Sequence, residues 1–224
     1  MTATKHTREL TAPAEDYLKV IFELETTGRA AGTNEIAAQL EIAAPSVTAM
    51  VRRLADQGLI KYERYRGARL TEAGRRAALR TIRRHRVIEA YLTAALGYPW
   101  DRVHEEAERL EHAASDELID RMARSIGEPV TDPHGAPIPT REGTLEEPAL
   151  TTLADVAPGE RARVQRVGDR DSELLRYLAE LGIIPGTEVE VIARAPFDGP
   201  ITVRLHGADH AIGPALAREI LVRP

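Results

Sequence analysis

Hydrophobic residues recur every three or four positions through most of the first 126 residues, a spacing typical of amphipathic helices. The first predicted helix spans residues 13–25. Two short helices follow at residues 33–40 and 45–57, joined by a tight turn. A long helix is predicted at residues 72–96, and helical spacing continues through residues 103–126. This order predicts a helix-turn-helix followed by a separate helical segment.

Alternation at period two replaces the helical spacing in two parts of the chain. Residues 59–63 and 68–71 predict a β-hairpin whose tip, Arg64-Tyr65-Arg66-Gly67, is basic and aromatic, as in a wing. Further strands are predicted near the end of the chain, at residues 161–167, 188–192 and 201–205, with a short helix at 172–181. Several short strands in about 75 residues indicate a small β-barrel. The predicted fold class is therefore mainly α with β.

A segment rich in proline and glycine separates the helices from the barrel. Residues 127–149 hold five prolines and three glycines, which is typical of a linker, and His134 within it is expected to be solvated. The predicted organisation comprises four parts: a winged helix-turn-helix at 1–74, a helical domain at 75–128, a linker at 129–149 and a β-domain at 150–224.

The net charge of −5 conceals a strong asymmetry along the chain. Residues 1–86 carry a net charge of +6, residues 87–149 carry −9, and residues 150–224 carry −2. A basic module joined to an acidic one suggests that the first binds an anion and the second a cation. Between Met50 and Arg86, 12 Lys+Arg stand against 3 Asp+Glu, which favours a nucleic acid as the anion.

The second helix of the helix-turn-helix has a polar outer face that suits the major groove of DNA. Its inward face is predicted to hold Val47, Met50, Val51 and Leu54. The outward or flanking positions, together with the wing arginines, are the candidate DNA contacts: Pro45, Ser46, Thr48, Ala49, Arg52, Arg53, Arg64 and Arg66. The arginines suit phosphate groups, and Pro45, Ser46 and Thr48 are better placed for base edges. A protein-docking role is the alternative for such a module.

The helix around residues 103–112 concentrates side chains that bind metal ions. At about 100° per residue, His104, Glu108, Glu111 and His112 share a narrow arc. A neighbouring packing stripe comprises Val103, Ala107, Leu110 and Ala114, and Asp101 is a plausible cap. His85 and Glu89 lie four positions apart on the preceding helix and so share a face. A solvated acidic face is the alternative, but three imidazoles and three carboxylates on adjacent helices favour a divalent cation.

Other observations narrow the functional class. The chain has no cysteine, so metal ligands must be oxygen or imidazole nitrogen. No apolar run approaches the roughly 18 residues of a membrane span and no signal peptide is evident, so a cytoplasmic protein without a membrane partner is expected. Residues 72–126 carry more apolar surface than they can bury alone, which predicts a homodimer.

An enzymatic function has weak support. Glu108-Arg109-Leu110-Glu111-His112 reads ExxEH, and His104-Glu105 begins HExxE, so both fall one ligand short of metallopeptidase motifs. We therefore expect neither catalysis nor a small-molecule substrate. A winged-helix regulator that ignores metal ions is the remaining alternative, and it leaves the converging ligands unexplained.

Taken together, these segments resemble the diphtheria toxin repressor family of metal-dependent transcriptional repressors. The resemblance covers nearly the whole chain, through EDYLKVIFELE, APSVTAMVRRLADQGLI, YRGARLTEAG, HRVIEAYL, VHEEAERLEHAASDELID and DPHGAPIPT. It implies a DNA-binding domain, a metal-binding and dimerisation domain, and a C-terminal domain that is SH3-like or FeoA-like. It further implies a palindromic operator and repression of metal-uptake genes.

The resemblance also implies two metal sites per subunit. One would use Asp16, Glu108, Glu111 and His112; the other would use His85, Glu89 and His104, with Asp171 of the C-terminal domain as a further ligand. Iron-type members carry methionine and cysteine where this chain has Asp16 and Glu108, whereas the manganese transport regulators carry Asp and Glu. Carboxylates make the site harder, so Mn(II) is the expected cofactor and Fe(II) the alternative. Lys19 departs from the glutamate of short manganese regulators, which leaves their two-metal geometry open here.

Overall fold

The computed structural model describes residues 10–26 and 28–224. The predicted first domain begins at residue 1, and its first nine residues lie outside the described part. The chain divides into two compact units, Met1–Arg83 with Pro139–Thr144 and Arg84–Ile138 with Leu145–Pro224. Among the described residues, every helix is too short or too polar to cross a lipid bilayer.

The first unit is a winged helix-turn-helix. It comprises α1 (Ala12–Glu25), α2 (Thr33–Gln39), α3 (Ala44–Asp56), β1 (Ile60–Glu63) and β2 (Gly67–Leu70), followed by the first half of α4 (Glu72–Leu96). Helix α1 packs on α2 and β2, and α3 packs on α2 and β1. Leu18, Ile36 and Leu54 are fully buried in this unit.

The wing is held against the rest of the first unit by a third extended residue. β1 and β2 pair antiparallel, and Ala31 bridges to Ala68 through hydrogen bonds of 2.9 and 2.8 Å. Gly67 has a φ of +95°, and a Cβ there would lie 2.6 Å from the Ala31 carbonyl oxygen. Glycine is therefore required at the base of the wing.

The second unit begins with the second half of α4 and continues with α5 (Val103–Leu110) and α6 (Asp116–Ser125). Val87, Val103, Ala107 and Ile119 form part of one hydrophobic cluster between these helices. Helix α5 is shorter than predicted, and Leu110 is 39% exposed rather than part of the packing stripe. The predicted cap is also wrong: Asp101 accepts a hydrogen bond from Arg176 at 3.2 Å instead of capping α5.

The C-terminal part of the second unit is a six-stranded antiparallel sheet with the strand order β3-β8-β4-β5-β6-β7. Its elements are β3 (Thr151–Thr152), β4 (Arg161–Val167), α7 (Ser172–Leu181), β5 (Glu188–Arg194), β6 (Ile201–Leu205), β7 (Ala208–Ile212), α8 (Pro214–Arg218) and β8 (Ile220–Arg223). Inward residues such as Val164, Val191 and Val203 are fully buried. The predicted fold class, mainly α with an SH3-like β-domain, is confirmed.

Candidate metal centre and DNA-binding surface

Helices α4 and α5 bring three predicted ligands together. His85 Nε2 lies 3.0 Å from Glu89 Oε1 and 3.1 Å from His104 Nδ1, and His104 Nδ1 lies 3.3 Å from the same Glu89 oxygen. Both His85 and Glu89 are buried. Because nitrogen and oxygen ligands lie about 2.1 Å from a small divalent ion, three donor atoms about 3 Å apart fit around one cation.

Glu111 orients His85 from the opposite side. Its Oε2 lies 2.5 Å from His85 Nδ1, and both side chains are buried. A proton on Nδ1 is therefore donated to this carboxylate, and the lone pair of Nε2 faces Glu89 and His104. Such a carboxylate–histidine pair is the usual way in which proteins fix the tautomer of a metal-binding imidazole.

A second group lies at the end of α5. Glu111 follows the last residue of α5 but keeps helical backbone angles, and its N–H donates to the Ala107 carbonyl. One oxygen each of Glu108 and Glu111 and one nitrogen of His85 lie within 4.8 Å of one another. His112 Nε2 lies 3.5 Å from Glu111 Oε1. These residues can offer carboxylate and imidazole ligands, and the side chain of Glu108 is 51% exposed.

Asp16, the remaining residue predicted for this group, belongs to the first unit. It lies on α1, one position after the first-turn residue Glu15. Its partnership with the end of α5 stays a prediction.

The sequence did not reveal a third group, which lies deeper in the second unit. Glu89, Asp132, His134 and Asp169 each place one ligand atom within 4.8 Å of the others. The first three side chains are buried and Asp169 is half-buried. We call these four residues the deep group. It contains three carboxylates and one imidazole, drawn from α4, the predicted linker and the loop after β4.

The expectation that His134 is solvated is wrong, because its side chain is fully buried. The imidazole stacks on the Trp100 indole, with ring centroids 5.7 Å apart, and Nε2 lies 2.7 Å from the Trp100 carbonyl oxygen. A hydrogen bond from Nε2 to this oxygen leaves Nδ1 as the atom that faces Glu89 and Asp132. His134 is therefore held as a ligand with one available nitrogen.

The segment that carries His134 is ordered by its own hydrogen bonds and by β4. Asp132 Oδ1 accepts from the backbone N–H groups of His134 and Ala136, each at 2.9 Å. The His134 carbonyl accepts from the N–H of Val167 at 3.0 Å. Gly135 has a φ of +89°, and a Cβ there would lie 1.8 Å from the Gln165 carbonyl oxygen. Only glycine allows this approach to the β-domain.

Three buried atoms of the deep group have no hydrogen-bond partner among the described residues: Glu89 Oε2, Asp132 Oδ2 and His134 Nδ1. The first and last of these lie 3.9 Å apart, too far for a hydrogen bond. Leaving a buried polar atom unpaired costs about 1–3 kcal/mol, so such atoms in a native fold call for a partner. A divalent cation satisfies all three at once, and the residues present therefore fit a metal ion.

The electrostatics of the deep group show how its charges are balanced. Burial opposes the charge on Glu89, but His85, His104 and His134 outweigh it and hold the pKa of Glu89 well below its usual range. Burial and the Glu89 charge raise the pKa of Asp132 to about 6. Burial opposes a charge on His134, but the carboxylates of Glu89 and Asp132 raise its pKa to about 9. A proton on His134 thus neutralises part of the negative charge, and it must leave when Nδ1 becomes a ligand.

The structure brings Asp171 neither to His85, Glu89 and His104, the site for which it was predicted, nor to the deep group. Asp171 is exposed, and its Oδ1 accepts from the N–H groups of Glu173 at 2.9 Å and Leu174 at 3.1 Å, which makes it the N-cap of α7. Asp169, two positions earlier, supplies the carboxylate of the C-terminal domain instead. An aspartate directly before a helix is typical of an N-cap, so the sequence pattern around Asp171 predicts this capping role.

The surface predicted to bind DNA is open to solvent. Val47, Val51 and Leu54 of α3 are fully buried, whereas Met50 is only half-buried. The candidate DNA contacts are exposed, apart from half-buried Thr48: Pro45, Ser46, Ala49, Arg52, Arg53, Arg64 and Arg66. At the wing tip Tyr65 is 90% exposed. This surface combines small polar groups on a helix with arginines on a hairpin, as groove and phosphate recognition requires.

Comparison with known proteins identifies three family domains in the chain. The model "Iron dependent repressor, N-terminal DNA binding domain" matches residues 9–68, "Iron dependent repressor, metal binding and dimerisation domain" matches 71–140, and the FeoA domain matches 151–224. The iron-dependent repressor IdeR of Mycobacterium tuberculosis is 31% identical over 92% of this chain and 94% of its own. The diphtheria toxin repressor of Corynebacterium diphtheriae is 30% identical over 96% and 98%.

Solved structures agree with this assignment. A manganese-dependent transcriptional repressor in complex with manganese superposes with a TM-score of 0.86 at 39% identity, covering 93% of this chain and 98% of that one. The manganese regulator SloR superposes with a TM-score of 0.79 at 32% identity, covering 96% and 99%. IdeR, the diphtheria toxin repressor and the manganese-bound structure are named repressors, and SloR is named a regulator. The predicted resemblance is thereby confirmed, and the chain belongs to the iron-dependent repressor family of metal-dependent transcriptional repressors.

Proposed function

We propose that this protein is a Mn(II)-activated repressor that binds a palindromic operator as a homodimer and controls metal-uptake genes. The observation that carries the proposal is the deep group, in which buried carboxylate and imidazole atoms converge without hydrogen-bond partners among the described residues. The chain joins this group to an exposed basic helix and wing.

Two metal sites are proposed in each subunit. The first comprises Glu89, Asp132, His134 and Asp169, flanked by His85 and His104, which share Glu89 with it. The second comprises Asp16, Glu108, Glu111 and His112; Glu108 lies in the last turn of α5, and Glu111 and His112 directly follow the helix. Glu111 contacts His85 at 2.5 Å and therefore links the two sets of ligands.

The donor atoms favour manganese. The proposed sites contain carboxylate oxygens and imidazole nitrogens, and the chain has no cysteine that would favour softer metals. The 39% identical structural relative is described as a manganese-dependent repressor in complex with manganese. Fe(II) is the second candidate, because the curated relatives of about 30% identity are named iron-dependent or diphtheria toxin repressors.

The proposed control of DNA binding operates through Asp16. Its helix, α1, packs on α2 and β2 and so belongs to the DNA-binding unit, whereas Glu108, Glu111 and His112 belong to the dimerisation domain. Carboxylates brought to close range repel one another, and a bound divalent ion supplies the positive charge that turns repulsion into attraction. The orientation that fits two operator half-sites then becomes the populated one.

A second copy of the chain is proposed to cover apolar side chains of the dimerisation domain. Leu96, Tyr98, Leu110 and Leu118 are between 37% and 58% exposed in the single chain. Isologous pairing of this surface gives a two-fold dimer, and two-fold symmetry in turn implies a roughly palindromic operator.

The proposal is tested by capture of fragmented genomic DNA from the source organism with the purified protein. Parallel captures contain Mn(II), anaerobic Fe(II) or excess chelator. We expect a small set of palindromic fragments with Mn(II) and little enrichment with chelator. Stronger enrichment with Fe(II) would favour the iron alternative, and equal enrichment with chelator would contradict metal control.

A further inference from the structure

Arg86 is a buried cation beside the deep group. It follows His85 on α4 and is only 8% exposed. Its guanidinium Nη1 donates to the Pro137 carbonyl oxygen at 2.5 Å, and its Nε lies 3.7 Å from Asp132 Oδ2. The side chain therefore contacts the 132–138 segment at two points, one in the backbone and one at a proposed ligand.

The contact with Asp132 concerns the oxygen that faces the other ligands. Asp132 Oδ1 is already occupied by two backbone N–H groups. Oδ2 has no hydrogen-bond partner within the described part of the chain, so it is the oxygen available to a cation. Arg86 and a metal ion would thus act on the same atom.

A guanidinium differs from the other charged groups of this region in two ways. It has no acceptor atom and cannot bind a metal ion, and it keeps its proton at any pH that the fold tolerates. The carboxylates of Glu89, Asp132 and Asp169 each place an oxygen within 4.8 Å of a nitrogen of His134. Without a metal ion, a fixed positive charge beside them reduces their mutual repulsion; with one, the same charge repels the ion.

We propose that Arg86 sets the metal affinity of the deep group: its charge stabilises the cluster without metal and weakens the binding of a divalent cation. The proposal rests on the proposed function, since it requires that this group binds metal. The site then fills only at a higher metal concentration than its ligands alone would dictate.

The test measures Mn(II) binding to the full-length protein by equilibrium dialysis, with free Mn(II) counted by electron paramagnetic resonance. Trp100, the single tryptophan, stacks on His134, so its fluorescence shows whether the deep group is occupied. The variants are Arg86→Gln, which removes the charge, and Arg86→Lys, which keeps it. Arg84→Gln is the matched control, because Arg84 is an equally buried neighbour that pairs with Asp116 at 3.0 Å.

We expect Arg86→Gln to bind Mn(II) about tenfold more tightly at the deep group. Without metal it should melt at a lower temperature, and Mn(II) should raise its Tm more than in the wild type. Arg86→Lys should stay within about threefold of the wild-type affinity, because the charge remains. Arg84→Gln should leave the affinity unchanged.

Weaker or unchanged Mn(II) binding by Arg86→Gln would overturn the proposal and leave Arg86 a support for the Pro137 segment. If Arg86→Gln does not fold, Arg86→Lys provides the test. A large loss of Mn(II) affinity in Arg86→Lys, which keeps the charge, would show that Arg86 supports the Pro137 segment and would overturn the proposal. Failure of the proposed function looks different: wild-type Trp100 fluorescence would then not respond to Mn(II) at all.

Discussion

The two proposed metal sites are built in contrasting ways. The deep group draws four buried or half-buried residues from three separate parts of the chain, and its ligand atoms are held by a turn, a ring stack and β4. The site at the end of α5 takes Glu108, Glu111 and His112 from one turn of chain, and Glu108 is half exposed. Asp16, the fourth ligand proposed for this site, belongs to the other unit.

This difference suggests a division of labour between the sites. Ligands fixed within one unit can bind a metal ion without moving that unit, so the deep group is suited to affinity and to stability. A site that takes one ligand from the DNA-binding unit favours one orientation of that unit when a metal ion binds. Such a site is suited to the control of DNA binding. The following predictions test this contrast.

Replacement of Glu89 by glutamine is expected to have the largest effect on metal binding. Glu89 belongs both to the deep group and to the set formed with His85 and His104, and the substitution removes its charge with almost no change in shape. Mn(II) affinity at the deep group should fall by more than the roughly 10- to 100-fold cost of losing an outer partner. Dialysis and Trp100 fluorescence measure this loss.

Glu105→Gln is the control for that substitution. Glu105 is an exposed α5 glutamate in an ion pair with Arg109. Glu105→Gln should leave Mn(II) affinity unchanged. A similar loss of Mn(II) affinity in both variants would show that the overall negative charge, and not ligation by Glu89, sets the affinity.

Replacement of Glu108 by alanine should abolish the stimulation of DNA binding by Mn(II) while leaving a folded dimer. The side chain is half exposed, so its removal creates no cavity, and the response of Trp100 to Mn(II) at the deep group should persist. Gel shift with a captured operator and sedimentation give the two readouts. Wild-type operator affinity with intact metal dependence would count against the assignment of Glu108.

Gly135→Ala should damage the deep group and spare the other site. The left-handed backbone alone costs a residue with a Cβ about 1–2 kcal/mol, and the clash with the Gln165 carbonyl adds to that cost. Urea unfolding should show this loss of stability, and Trp100 should respond more weakly to Mn(II). Gly159→Ala is a matched control, because Gly159 has a φ of +88° but a Cβ there would meet no atom of the described residues within 4 Å. Equal losses in both variants would remove the special role of the 132–136 turn.

Arg53→Ala should have the smallest effect on operator binding and should leave Mn(II) affinity unchanged. Arg53 is exposed on α3. Loss of one phosphate contact should reduce the slope of log K for operator binding against log salt concentration by about one. Arg121→Ala, on the exposed face of α6, should change neither quantity. An unchanged salt slope for Arg53→Ala would exclude a phosphate contact.

The contrast between the sites also explains what the sequence could predict. His85 and Glu89 share a face of one helix, and Glu108, Glu111 and His112 follow from the period of the next. Local spacing was therefore sufficient to place each set on one face, whereas the assignment to two metal sites was implied by the family resemblance and stays a prediction. The burial of His134 was not predictable in this way, because a segment with the sequence Asp-Pro-His-Gly is typical of solvated turns.

What buries His134 are contacts distant in the sequence, to Trp100 and to the end of β4. Asp132 and His134 are two residues apart and separated by proline, but this spacing does not show where the two side chains point; only the fold does. The capping role of Asp171 could have been predicted from the sequence, since the position directly before α7 favours a helix cap. The fold class was predictable because helical and strand periods are local properties.

The most direct test of metal control is thermodynamic linkage between the metal and the operator. Mn(II) affinity would be measured by dialysis with and without saturating operator, and operator affinity with and without saturating Mn(II). Reciprocity requires the two factors to be equal, and couplings of this kind typically span about 5- to 150-fold. Equal factors in this range are the predicted result, and they should fall to one in Glu108→Ala. An Mn(II) affinity that does not change when the operator binds would contradict the account.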